Sequence, residues 1–429
     1  MSESKNYPGF RWIILILGVL GLIGMQLVNL SVAPLVPAIA GSLGINPGTA
    51  ALLLFTSFLI SGCVIWVLGG GYICDKFGVF VALILGLLCL AVPATFMHLF
   101  GTSTTGLCIA RVIQGLSSGL IFPCSPMIVG ALFPDRQKSI ANALLNSSVA
   151  VGSALGPVVG ALLNKSMGDW RSMSAGISVY LWIAVILTVI GFFAFNSKMP
   201  KAAPQKADAS GASIFKKAVL HPFTILGVCT FFIAAYSMQC IYSLTATYLG
   251  ADHPLGLGYG DLTASNLMLG VTLLGGVTGP FLGTFLMEKL FKGSAKNLML
   301  LGFALLAITL YVLMSAWVTG NIATLEIVLI ICGYGVMFVF PTIYFLIAIS
   351  YQPQIIGRMS GLWGGIGSFG GVLGTYIAGA SIKATGAYNM TLTIQSFVAV
   401  IGFVLVVLLF KARASFLKAS EPAAVPATR

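Results

Sequence analysis

Apolar stretches of about 20 residues recur along the whole chain, with short polar loops between them. Coiled as a helix that rises 1.5 Å per residue, such a stretch crosses a hydrocarbon core about 30 Å thick. In the first half they cover residues 12–36, 49–74, 79–99, 105–131, 139–163 and 173–196. In the second half they cover 222–249, 262–287, 297–318, 321–350, 356–382 and 388–411. A backbone in lipid must satisfy its own hydrogen bonds, so each is expected to be a helix. Charge is nearly excluded: charged residues make up 7% of the chain and hydrophobic ones 58%. A soluble domain carries about 25% charged residues. The first stretch, from Trp12 to about Ala33, follows Lys5 and Arg11 as a signal peptide would. It is too long for a signal core and lacks a convincing small-residue cleavage site, so it reads as the first membrane helix.

The fold class expected is an all-α membrane protein with about twelve transmembrane helices in two pseudo-symmetric six-helix bundles. Residues 1–196 form the first bundle and 222–411 the second. Residues 197–221, with five lysines among Pro, Ala and Ser, are the linker, and 412–429 the tail. The net charge is +12, but Lys and Arg are scattered through loops, with no basic arm for a nucleic acid. With the N-terminus placed inside, one side holds 18 of the 22 Lys and Arg and the other holds Lys165, Arg171 and Lys383. That bias predicts both termini and the linker in the cytoplasm of a multi-pass inner-membrane protein. The eight Cys form no Cys-x-x-Cys pair, and His98, His221 and His253 lie near helix ends. No metal, cofactor or enzyme chemistry is expected from them. No phosphate-binding G-x-x-x-x-G-K-[ST] loop is present.

Several motifs carry chemistry. The second segment ends Gly69-Gly70-Gly71-Tyr72-Ile73-Cys74-Asp75-Lys76-Phe77-Gly78: a close-packing surface, an acid–base pair and a turn glycine. The fourth carries Arg111, Gln114 and Gly115, and the fifth Gly152, Gly156, Pro157 and Gly160. Asp169-Trp170-Arg171 precedes the sixth. Over essentially its whole length the chain resembles the major facilitator superfamily. Asp75-Lys76-Phe77-Gly78 is similar to the signature between helices 2 and 3, although Val79 and Phe80 follow where basic residues are usual. Arg111-x-x-Gln114-Gly115 resembles the helix-4 signature, and Gly152-x-x-x-Gly156-Pro157-x-x-Gly160 the helix-5 signature associated with proton antiporters. A weaker echo of the first signature follows helix 8 as Gly283, Glu288 and Lys289.

The resemblance implies a secondary transporter that works by alternating access, a site near the midplane and no ATP hydrolysis. It also implies that Asp75 locks the inner side against the N-terminus of helix 11 and a nearby Arg. Arg136, in the loop after helix 4, is the expected basic partner. Arg111 is either a substrate or proton-coupling contact or a structural group satisfied by helix 1 carbonyls. Glu326 lies at a matching shallow depth on helix 10, where it either reaches the outer headgroups or pairs with Arg111 across the cavity. Helices 5 and 11 are expected to face the opposite half through their glycines. Gln26 and Asn29 stand where many proton–drug antiporters carry an acid in helix 1. Tyr236, Gln239 and Ser243 share a face of helix 7, and Asn142 and Asn146 a face of helix 5. Tyr334, Tyr344 and Trp363 are further cavity candidates. The partners expected are a small-molecule substrate, the bilayer and protons as coupling ion, with the protein a monomer. Arg111 and the missing helix-1 acid favour an organic anion, taken up or exchanged. The helix-5 motif favours proton-coupled drug or metabolite efflux.

Overall fold

The computed structural model describes residues 9–45, 49–50, 52–199, 215–250, 253, 256–259, 261–352, 355–385 and 388–420. Twelve long helices follow in order. In the first half they are α1 (Arg11–Leu30), α2 (Leu53–Phe77), α3 (Val79–Thr95), α4 (Thr104–Leu132), α5 (Asp135–Met167) and α6 (Trp170–Phe195). The second half has α7 (Pro222–Gly250), α8 (Asn266–Leu290), α9 (Ala295–Val312), α10 (Ile322–Ser350), α11 (Ile356–Thr385) and α12 (Asn389–Ser420). Among the described residues, ten helices are long and apolar enough to cross a membrane, and α3 and α11 complete the twelve. The last helix runs nine residues past the expected 411, so the described part of the tail continues α12. Of the linker, Lys201 and Lys206 lie outside the described residues, as do Lys5 and Arg429 at the ends.

The apolar sequence is not simply core. Leu68 is 76% exposed and Tyr376 73%, well inside their helices, and Phe193 79% near the end of α6. In water such a surface would aggregate; here it is the face that lipid solvates. Two cores lie inside. One gathers Ile14 to Leu181 of the first half, the other Phe223 to Leu409 of the second. Trp66 of α2 joins the second core and Ala348 of α10 joins the first, so the cores meet there.

Local signals set the helix ends. Ser103, Asp169, Ser294 and Asn321 cap α4, α6, α9 and α10, each side-chain oxygen accepting from a first-turn N–H. Gly78 is the whole connection between α2 and α3, at φ 88° and ψ 167°, which a side chain would resist. The duplication shows in detail. The equivalent helices α2 and α8 each contain two wider i→i+5 stretches: Leu52–Thr56 and Trp66–Gly70, then Val271–Thr278 and Leu286–Leu290.

Candidate functional site

The end of the bundle where α1 begins and α12 finishes carries most of the Lys and Arg and is called the basic face below. There α2 lies along α11. Asp75 ends this contact, with its side chain only 2% exposed. Its Oδ1 accepts from the Gly357 N–H at 2.8 Å, and its Oδ2 from the Arg358 N–H at 2.9 Å. Arg358 Nε adds an ion pair at 3.1 Å. Gly357 and Arg358 are in the first turn of α11, whose N–H groups have no partner within their own helix. A carboxylate from one half thus caps a helix of the other, favoured by the dipole and by charge-assisted bonds.

This corrects one expectation. Arg136 is exposed, and the basic partner of Asp75 is Arg358. Arg136 follows α4 in the same half as Asp75; Arg358 comes from the opposite half and is carried to the carboxylate by the helix that the carboxylate caps. Lys76 is also exposed, its ammonium 5.3 Å from the rings of Tyr72 and Phe77.

A neutral fastening stands beside the ionic one. Asn142 of α5 donates to the Pro341 carbonyl of α10 at 2.7 Å, and Asn146 bonds back to Asn142. Ser147 donates to the Val277 carbonyl of α8 at 2.8 Å. These contacts lie in the basic half of α5 and α10 and at the middle of α8. Beyond them the partners change. In α5, Gly152 meets Ile23 and Gln26, Gly156 meets Leu30, and Gly160 meets Ser31, all on α1. In α11, Gly357, Gly361 and Gly365 meet α2, but Gly367, Gly370 and Gly374 meet α7. So the helix-5 glycines pack within their own half, not against the other, and Pro157 sits half-buried among them. The halves are joined at the basic face and part toward the opposite one.

Arg111 is 1% exposed in the first half. Its Nε donates to the Leu54 carbonyl at 2.7 Å. Nη1 donates to the Val28 carbonyl at 3.3 Å and to Gln114 Oε1 at 3.1 Å. Nη2 donates to the Asn29 carbonyl at 3.4 Å and its Oδ1 at 3.3 Å. All five guanidinium N–H groups therefore have protein acceptors. The carbonyls of Val28 and Asn29 belong to the last turn of α1, just before Pro34, where helical partners run out. Arg111 is a cation at a helix C-terminus, with the Phe58 ring 4.9 Å away.

The other expected residues fall in several places. Gln26 donates to Ser153 across α1 and α5 at 2.9 Å. Glu326 is half-buried with its carboxylate against Gly270 of α8; the pair with Arg111 does not form. Tyr236 packs on Gly374 and Gln239 on Gly371, both of α11. The side chain of Ser243 lies outside the described residues. Glu288, the echo of Asp75, is exposed, so among the described residues the lock has no twin in the second half. Tyr334 bonds Thr278 at 3.0 Å, while Trp363 is fully buried.

A profile of the Major Facilitator Superfamily matches residues 20–375 and 255–428. The chain belongs to this superfamily. As a superfamily member it is a multi-pass membrane transporter. Two relatives are the multidrug efflux protein YfmO of Bacillus subtilis, 26% identical over 87% of this chain and 86% of that one, and the quinolone resistance protein NorA of Staphylococcus aureus, 23% identical over 81% and 84%. Among solved structures, the proton:xylose symporter XylE has a TM-score of 0.74 at 16% identity, covering 94% of this chain and 95% of that one. The transporter FucP, in the outward conformation, gives 0.71 at 16% identity over 93% and 99%. Those two likenesses show the superfamily fold.

Arg358 entered the sequence reading only as one charge of the inner side, although a basic residue in the first turn of helix 11 is a usable signal. Trp66, Phe122, Phe231 and Phe340, which gather around Tyr344 between the halves, were not singled out. Aromatics in an apolar helix carry no signal of which half they will face.

Proposed function

We propose that the protein is a proton-coupled exporter of small organic solutes, working as a monomer in the bacterial inner membrane with its basic face to the cytoplasm. Residues 1–196 and 222–411 rock as two halves joined by the linker 197–221. The arrangement described is then the outward-open state, held by Asp75 and Arg358. The observation that carries the choice of solute is the satisfied Arg111. A carboxylate reaching it would have to displace carbonyls that already hold every N–H. The names of YfmO and NorA support the same direction. Gln26, Asn29, Gln114, Tyr236, Gln239 and Glu326 remain the candidate solute and proton contacts, and the helix-5 glycines the candidate hinge surface.

The test is transport by purified protein in proteoliposomes against a panel of fluorescent aromatic dyes and radiolabelled carboxylates, with and without a pH gradient. Dye movement driven by the gradient and abolished by a protonophore is expected. Gradient-driven movement of a carboxylate instead, lost in a well-folded Arg111→Gln variant, would restore the organic-anion reading.

A further inference from the structure

Where α2 and α11 bring the halves together, five aromatic rings meet. Trp66 of α2 stacks on Phe122 of α4 at 4.9 Å and 6°. Phe122 lies nearly parallel to Tyr344 of α10, at 12° and a looser 6.3 Å. Phe231 of α7 stands edge-on to both Trp66 and Tyr344, at 6.3 and 5.6 Å. Phe340 of α10 closes the group against Phe231 and Tyr344. Two rings come from the first half and three from the second. The level is fixed by α11: Gly361 and Gly364 receive Trp66, and from Gly367 onward the helix turns to Phe231 and α7. The rings thus form a layer of contact between the halves, at the level where α11 leaves α2 for α7. Phe122 and Phe340 are half-buried, while Trp66, Phe231 and Tyr344 are buried.

Two polar atoms in this layer have no partner among the described residues: the indole N–H of Trp66 and the hydroxyl of Tyr344. Buried Trp and Tyr ordinarily find one. Phe at either place would stack as well without leaving a polar atom dry. Both orphans sit in the one ring layer that must separate when the halves rock.

We propose that this layer is the floor of the solute site, and that it takes flat, ring-bearing solutes with a hydrogen-bond acceptor. As the layer loosens, the solute's ring enters between Phe122 and Tyr344, and its acceptor bridges Trp66 Nε1–H of one half and the Tyr344 hydroxyl of the other. The stack is slackest between Phe122 and Tyr344, the joint between the halves. The inference rests on the transporter reading above and adds the class of solute and the atoms that select it.

The test uses two flat three-ring fluorophores, acridone with a ring carbonyl and anthracene without an acceptor, bound to the full-length protein in lipid nanodiscs. Trp66→Phe and Tyr344→Phe keep the rings and remove one donor each. Each substitution is expected to weaken acridone about three- to tenfold and to leave anthracene unchanged. Unchanged acridone binding in both variants overturns the proposal, as does an equal loss for both probes, which would report ring packing alone. Spin-label distances between the halves are recorded on the same wild-type samples. Halves that move while neither probe binds overturn the ring site alone; halves that never move overturn the transporter reading beneath it.

Discussion

At the residue scale, Asp75 and Arg111 are both polar groups kept from water, yet they do different work. Asp75 spans the halves, so in the proposed cycle its bonds would break and re-form at each turn; Arg111 stays within one half. Asp75→Asn removes the charge, the ion pair with Arg358 and much of the preference for the α11 N-terminus. A charge-assisted bond contributes about 1.5–3 kcal/mol, so the locked state should lose roughly a tenfold or greater bias. The check is maleimide labelling of a cysteine introduced at Ser360, a buried position on the α2-facing turn of α11. Labelling should accelerate in Asp75→Asn; an unchanged rate would leave Asp75 a helix cap with no part in the conformational balance. Arg111→Lys and Arg111→Gln should instead lower the melting temperature, since each strands carbonyls at the end of α1, at about 1–3 kcal/mol per lost partner. The fraction that folds should bind solute as wild type does. Normal melting with lost binding would contradict the structural role. Asp75 was legible from its motif, because an acid beside a turn glycine after a glycine-rich helix is a local pattern. Its partner was harder to read: Arg358 lies 283 residues away, and only its place in the first turn of helix 11 marks it.

At the element scale, the helices themselves were readable, since length and apolarity are what a bilayer demands. Which helix each glycine face would meet was not. A small-residue stripe promises close approach and says nothing about the neighbour. A Cβ on Gly152 would come within 2.7 Å of the Ile23 carbonyl, inside the first half. On Gly361 it would come within 2.7 Å of the Trp66 carbonyl, across the halves. The same substitution should therefore have opposite signatures. Gly152→Ala should destabilise by about 1–3 kcal/mol and lower the melting temperature with little change in conformational balance. Gly361→Ala should shift the balance away from closure at the basic face and cost less stability, because the halves can relax apart. Equal melting losses with no shift in labelling at Ser360→Cys would mean that α11 does not pack on α2 as described.

At the scale of the whole molecule, the charge bias predicts the orientation, and the wider stretches shared by α2 and α8 mark the duplication. A reporter enzyme fused behind Ser420 should be active only on the cytoplasmic side; periplasmic activity would invert every side assignment. The account turns on the halves closing at the basic face and parting at the other, and on exchanging that arrangement during transport. Two distances read this most directly, measured by pulsed electron resonance in a cysteine-free background. One joins labels at Arg136 and Lys289, the exposed ends of α5 and α8 at the basic face; the other joins Lys165 and Asn266 at the far ends of the same helices. On going from wild type to Asp75→Asn with a transported solute bound, the first distance should lengthen and the second shorten. Distances that stay fixed, or that lengthen together, would contradict alternating access in this protein.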